Sequence, residues 1–323
     1  WRSQRVTIKG RSNMKKFIFM FDGQGAFKPG IGKELYDNYA PARDTIETCS
    51  SILGYDLTAY LWGTQAAETN SKTSIAQPAI SAVSLAYAAV LKELGLTADV
   101  SLGHSLGEIT AVVHCGIVSF EDGMKIIQKR GEVMERGGKQ GTMMAVININ
   151  ERQLTDMCQR VTEEINEPVV VANINAPNQI VISGSKEGIK RVAQQVAQQQ
   201  GKGIPLRVGG AWHSPFLADA AREFTAFLDT IAFSKPASQF YSVVEQQLLE
   251  DPETIKTSLS KQMLAQVHWI TAIQNLIELH YLRFIEIGPS TILKNLVAKI
   301  DPKLNVETVA IYPEIEKLIN EIQ

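Results

Sequence analysis

The residue order predicts an α/β protein: an α/β-hydrolase-like large domain built on a parallel sheet, with a ferredoxin-like small domain inserted in it. Three observations carry that reading. Strand-like and helix-like segments alternate as far as residue 135, which calls for helical crossovers and a parallel sheet. The stretch Val100-Ser101-Leu102-Gly103-His104-Ser105-Leu106-Gly107-Glu108 runs from a β-prone segment through a Gly-x-Ser-x-Gly turn into an apolar-periodic helix, the form of a nucleophile elbow. At Gly141 the pattern switches to a β-α-β-β-α-β order, the ferredoxin-like unit. The boundaries expected are 1–13 for a tag or disordered leader before Met14, 14–138 with 209–323 for the catalytic large domain, and 139–208 for the small domain.

Residues 16–21 form an apolar run, as in a strand buried on both faces, ending in Asp22-Gly23-Gln24-Gly25-Ala26. The glycine spacing fits neither a dinucleotide fingerprint nor a P-loop. Helical patterning covers 31–53, with Pro41 opening a second helix. Ser74-Ile75-Ala76-Gln77-Pro78 precedes an alanine-rich helix over 79–94, stopped by Gly95. Beyond the elbow, 121–135 reads as a helix whose Lys125, Lys129 and Arg130 form, by period alone, a solvated basic face. In the inserted unit, strands are expected at 142–149, 169–175, 179–184 and 203–208, with a turn at Ala176-Pro177-Asn178 and helices over 150–164 and 186–199. Gly209-Gly210-Ala211-Trp212-His213-Ser214-Pro215 is a turn returning to the large domain. A helix over 216–233, an extended stretch over 235–250, a helix opened by Asp251, a strand over 282–287 and a helix over 291–300 follow. The tail past Asp301 shows no clear pattern.

Composition narrows the class of function. The chain has 323 residues, 45% apolar and 20% charged, ample for a large core. Its formal charge is −2, and without the leader cations Arg2, Arg5, Lys9 and Arg11 it is −6. An acidic body lacks the basic stripe of a nucleic-acid binder, so no nucleic-acid partner is expected. The leader has no apolar core of a secretory signal. No uninterrupted run reaches the ~18 apolar residues of a membrane span, and no membrane association is expected. Cys49, Cys115 and Cys158 have no paired spacing; they read as reduced core thiols of a cytoplasmic protein, with no metal site.

The elbow carries the chemistry. A serine on a sharp strand-to-helix turn holds its hydroxyl out towards substrate. The Leu106 N–H, at the first turn of the next helix, would face the oxygen of a tetrahedral intermediate, where the helix dipole favours negative charge. The Gln24 N–H, in a loop facing the serine, is the candidate for the other half of that oxyanion hole. In the order of an α/β-hydrolase the general base is a histidine after Ser105. His114 reads as packed core and His280 as a helix end, which leaves His213 the best candidate.

Eight ordered motifs resemble the malonyl-CoA:acyl carrier protein transacylase family, including free-standing acyltransferases that serve polyketide synthases in trans. They are Gly23-Gln24-Gly25, Gln77-Pro78-Ala79, Gly103-His104-Ser105-Leu106-Gly107-Glu108, Arg130-Gly131, Gly141-Thr142-Met143-Met144-Ala145, Asn175-Ala176-Pro177, Gly210-Ala211-Trp212-His213-Ser214 and Glu286-Ile287-Gly288-Pro289. The resemblance runs from about residue 16 to 300. It implies that Ser105, activated by His213, attacks a malonyl thioester, that Gln24 and Leu106 hold the oxyanion, and that the acyl group passes to the phosphopantetheine thiol of an acyl carrier protein. The substrates implied are malonyl-CoA and the phosphopantetheinylated carrier, with no permanently bound cofactor, in fatty-acid or polyketide synthesis. The carrier protein is the expected partner and a monomer the expected state. Arg130 matches the arginine that pairs with the malonyl carboxylate. Gln77 and Asn175 are expected to support the site by hydrogen bonds, and a backbone carbonyl in Val267-His268-Trp269 to orient the histidine.

This sequence departs from the family at several places. Asp22, Ala26 and Phe27 stand where Pro, Ser and Gln are usual, and Trp212 replaces the phenylalanine of malonyl enzymes. The wider indole should narrow the acyl pocket against α-branched units. His268 stands where glutamine or arginine is common, and the asparagine usual near Val243 is missing. Two other readings remain: a trans-acting acyl hydrolase clearing stalled acyl groups from carrier proteins, which would not need Arg130, and an idle docking protein, which would not keep an intact elbow and histidine.

Overall fold

The computed structural model describes residues 16–69, 71–310 and 312–322, so the reading of residues 1–13 as a leader lies outside the described residues. In chain order the strands are β1 (Phe17–Phe21), β2 (Val100–Gly103), β3 (Gly141–Ile147), β4 (Val169–Ala176), β5 (Gln179–Ser185), β6 (Lys202–Pro205), β7 (Gln239–Ser242), β8 (Gln247–Leu249), β9 (Val267–His268), β10 (Arg283–Ile287) and β11 (Asn305–Thr308). The first sheet has the order β11-β10-β1-β2-β7-β8. Its first five strands are parallel and β8 closes the edge as a hairpin partner of β7. All five residues of β1 are buried, because helices cover both faces of a parallel sheet and leave no polar side for alternation.

The second sheet has the order β6-β3-β5-β4-β9. Its β3-helix-β4-β5-helix-β6 unit pairs antiparallel throughout, the ferredoxin-like arrangement, around a core of its own. The addition is β9, which comes from the large-domain chain and pairs parallel to β4 through Asn173 and Val267. A two-residue strand has too little periodicity to be read from sequence.

The departures from the sequence reading have local causes. The helix expected from residue 79 begins at Thr73 and runs as Thr73–Glu93 with Pro78 inside it. Proline there forfeits only the bond to the Ser74 carbonyl. The preceding turn is held by Ile75 and Ala76 N–H groups on the Lys72 carbonyl, and by Glu135, which accepts from the Ser74 N–H and hydroxyl at 2.9 and 2.7 Å. This helix is long and apolar enough to cross a membrane by composition, yet 83% of that window is buried inside the protein. The helix expected over 216–233 is a short 3-10 turn and Ala218–Leu228. The stretch over 235–250 folds back on itself as β7 and β8, and the strand expected to 208 stops at Pro205. The tail forms β11 and the helix Tyr312–Ile322.

Candidate active site

β1, β2 and β10 run parallel in register, Phe21 beside Gly103 and beside Ile287. The loops that leave their carboxyl ends therefore converge, the usual ligand position on such a sheet. Ser105 leaves β2 at φ 54°, ψ −106°, outside the regions an L-residue favours; holding it there costs about 1–3 kcal/mol. The glycines on either side are required by close approach. A Cβ on Gly103 would fall 1.9 Å from the Gly107 carbonyl carbon, and one on Gly107 2.0 Å from the Phe21 oxygen. The strain and the crowding together push the Ser105 hydroxyl into the open.

Ser105 Oγ lies 2.7 Å from His213 Nε2. His213 Nδ1 faces two backbone carbonyls, Gln262 at 3.1 Å and Ala265 at 3.0 Å. A carbonyl accepts only, so Nδ1 carries the proton and Nε2 is bare, the tautomer that accepts from the serine. The expected carbonyl in residues 267–269 is thus corrected to Gln262 and Ala265. The chain turns after the helix Pro252–Lys261 before it reaches β9, and that turn, a feature without sequence period, presents both oxygens. Burial, then the charge of Arg130, then His104 lower the His213 pKa to about 3, so the imidazole rests neutral.

Arg130 is not the exposed cation its helical period suggested. It is 1% exposed on the helix Phe120–Gly137. Its Nη2 donates to Ser105 Oγ at 3.1 Å, Nη1 to Gln77 Oε1 at 2.9 Å and Nε to Gln262 Oε1 at 3.1 Å. Burial lowers its pKa to about 10, with the Glu108 charge acting the other way, so it stays cationic at neutral pH. Glu108 is buried with both oxygens met by donors: Ser242 Oγ, the Val243 N–H and Gln262 Nε2. Gln262 Nε2 also donates to the Ser105 carbonyl at 2.8 Å. One glutamine thus ties together the elbow, the arginine and Glu108. Sequence reasoning missed Gln262 and Ala265, and quoted Glu108 without a role; for Gln262, inside a polar helix end, no sequence signal exists.

The remaining expected residues fall around this centre. Gln24 begins a short 3-10 turn after β1, and its side chain is fixed by Thr73 Oγ1 at 3.1 Å and Gln77 Nε2 at 3.2 Å. Leu106 is the first residue of the helix Leu106–His114, where an N–H has no intrahelical acceptor. Asn175 Oδ1 lies 2.8 Å from His104 Nε2, and Asn175 lines the same cleft as Ser105. Trp212 packs on Gly138, where a Cβ would fall 2.0 Å from the ring. His268 is half-buried in β9; its carbonyl accepts from Gln246 Nε2 at 3.2 Å. His114 packs on Phe19 and Phe21, as expected of a core residue. Among the described residues no cluster of His, Cys, Asp or Glu is placed to hold a metal ion.

A cleft of about 410 Å³ opens over Ser105, lined among others by Gln24, Arg130, Asn175, Trp212 and His213. A strained serine bonded to a neutral histidine, with backbone donors at a helix start beside it, makes a covalent acyl-transfer site of the Ser-His type. The chain belongs to the acyl transferase domain family, whose description matches residues 18–321. It is 34% identical over 314 residues to the malonyl CoA-acyl carrier protein transacylase of Bacillus subtilis (strain 168), covering 96% of this chain and 98% of that one. It is 31% identical to the Haemophilus influenzae protein of the same name, over 95% of this chain and 100% of the other. Among solved structures, the transacylase of Clostridium perfringens superposes with a TM-score of 0.90 at 31% identity, covering 95% and 97% of the two chains. A type II PKS acyl-carrier protein in complex with its malonyl-transacylase gives 0.91 at 27% identity, over 95% and 100%.

Proposed function

We propose that this acyltransferase moves malonyl from malonyl-CoA to the phosphopantetheine thiol of an acyl carrier protein, through a malonyl ester of Ser105, in fatty-acid or polyketide synthesis. Ser105 Oγ attacks the thioester carbon while its proton passes to His213 Nε2. The N–H groups of Gln24 and Leu106 receive the oxyanion. The C–S bond breaks, and the imidazolium returns the proton to the departing thiolate. The carrier thiol then reverses the sequence: His213 takes its proton, sulfur attacks the ester, and Ser105 is released. Nothing in these steps calls on a permanently bound cofactor, and the thioester donor and the carrier thiol are substrates met in the cytoplasm.

The observation that carries the choice of malonyl is Arg130. A buried guanidinium bonded only to neutral partners, 3.1 Å from the nucleophile, has its charge still to be matched. The free carboxylate of a malonyl group on Ser105 supplies the match, with the bidentate geometry that a guanidinium favours. Trp212 lines the cleft and narrows it against an α-methyl branch. Intact-protein mass spectrometry after brief exposure to malonyl-, acetyl- or methylmalonyl-CoA, followed by carrier protein, tests this. Malonyl should load, vanish in Ser105→Ala and move to the carrier. Acetyl loading alone, lost to water, would leave the hydrolase as the better account.

A further inference from the structure

A second buried polar cluster lies behind the loop that carries Gln24. Asp22 follows β1 directly and is 2% exposed; Glu286, near the end of the neighbouring β10, is 0% exposed. Ser290 Oγ sits between them, 2.8 Å from Asp22 Oδ1 and 2.7 Å from Glu286 Oε1. A hydroxyl has one proton, so it donates in only one of those contacts. The other short contact needs a proton held by a carboxyl group. Glu286 accepts the N–H groups of Leu293 at 3.1 Å and Lys294 at 2.8 Å, at the start of the helix Ile292–Ile300. Those two donors fit a carboxylate acceptor at the start of a helix. Asp22 Oδ2, by contrast, has no donor facing it. The consistent arrangement is a relay: the Asp22 acid donates to Ser290 Oγ, and Ser290 donates to the Glu286 carboxylate. Burial first, and then the charge of Glu286, hold the Asp22 carboxyl well above the usual carboxylate range.

The relay is wedged in place. A Cβ on Gly288 would fall 2.2 Å from Asp22 Oδ2, so the carboxyl rests directly on the corner after β10. Few titratable groups face it. Glu286 comes from β10. Tyr87 comes from the helix Thr73–Glu93; its hydroxyl donates to the Ala310 carbonyl and burial raises its pKa. His104, beside Gly23, has its pKa lowered by burial and is neutral. Lys294 reaches the cluster through its backbone, while its side chain lines a separate hollow with Glu307. Arg130 and the neutral His213 stand across the cleft.

We propose that Asp22, held as a neutral acid and joined through Ser290 to Glu286, is a positioning residue: it fixes the loop that aims the Gln24 N–H and loosens that loop when the acid ionises. The inference rests on the reading of Gln24 as half of the oxyanion hole. Ionised Asp22 would stand beside the Glu286 carboxylate with both side chains buried, and the two carboxylates would part. Asp22→Asn keeps a donor towards Ser290 and cannot ionise. Asp22→Ala removes the link.

The test measures kcat and KM for malonyl transfer on the whole chain from pH 6 to 9.5, for wild type, Asp22→Asn and Asp22→Ala. Asp22→Ala should lower kcat by about tenfold to a hundredfold with KM little changed, the cost of a misplaced donor. Asp22→Asn should retain at least roughly half of the neutral-pH kcat, as a preserved link implies, and stay level at the alkaline pH where wild type declines. Identical alkaline profiles for wild type and Asp22→Asn would overturn the proposal whether or not Asp22→Ala folds. Should malonyl leave wild-type Ser105 unloaded, the transferase reading fails instead. The same pH comparison, made on the Ser105-dependent burst with p-nitrophenyl acetate, then decides the role of Asp22.

Discussion

Replacing Arg130 by alanine separates carboxylate binding from serine positioning. Two of its three hydrogen bonds go to Gln77 and Gln262, buried amides that hold the guanidinium plane; the third reaches Ser105 Oγ at 3.1 Å. In the proposed acyl-enzyme, a malonyl group on Ser105 would put its carboxylate beside that third arm. Removing one partner of a buried charge pair costs about 3–5 kcal/mol, which at about 1.4 kcal/mol per decade is roughly 10²- to 10⁴-fold in kcat/KM for malonyl-CoA. Acetyl-CoA brings no carboxylate and loses only the guanidinium contact to Ser105 Oγ, on the order of tenfold. The ratio of malonyl to acetyl loading should thus fall by at least about tenfold. Arg130→Lys should fall between, since an ammonium cannot span Gln77, Gln262 and the substrate in one plane. Quenched-flow loading read by intact mass gives both constants, and a thermal melt checks that the variant is folded. Equal loss with both thioesters would refute carboxylate recognition and leave Arg130 as a prop for the elbow.

Other consequences follow from the same geometry. His213, lowered to about 3, is the base in its neutral form, so kcat/KM should stay level from pH 7.5 to 5.5; a fall through pH 6.5 would mean a solvated imidazole. Trp212→Ala should widen the pocket for the α-methyl branch and raise methylmalonyl loading by about tenfold, the worth of a methyl group in an apolar pocket; unchanged loading would put the selectivity elsewhere. His114 is lowered by burial to about 4 and lies apart from the cleft. Its unfolded form takes a proton near pH 6.5, so it destabilises the fold as pH falls below that point. His114→Phe should gain about 2 kcal/mol on wild type between pH 6.5 and 5, about 2–4 °C in differential melts of a chain this long.

The sequence carries the parts of this fold that have a period or a punctuation mark. The strand-turn-helix at Ser105 was legible because only glycine survives at 103 and 107, where backbones come within 2 Å of a Cβ. The small domain was legible because its helices bury one face against an antiparallel sheet, so strand and helix periods alternate cleanly. What escaped lacks a period. Gln262 and the carbonyls of Gln262 and Ala265 act through a turn whose partners lie 49 to 157 residues away. Arg130 was ambiguous for a related reason: helical spacing places it beside Lys129, which reaches the surface and pairs with Glu223, and nothing local says that one cation turns inward. There the family motif, not the periodicity, pointed to the site.

The charge balance of the cleft ties recognition to chemistry. Arg130 bears a positive charge beside His213 and is, after burial, the main reason the imidazole resists a proton. That field keeps the base free but opposes the step in which it accepts the Ser105 proton. Glu108 offsets the charge only from behind, through Gln262, with both of its oxygens already engaged. A malonyl carboxylate on the cleft side of Arg130 would cancel the field where the buried His213 feels it. On the proposed mechanism, malonyl therefore raises the basicity of the group that would activate the nucleophile. Acetyl-CoA does not, so the preference for malonyl should appear in the rate of serine acylation as well as in binding, and Arg130→Ala should erase both parts together.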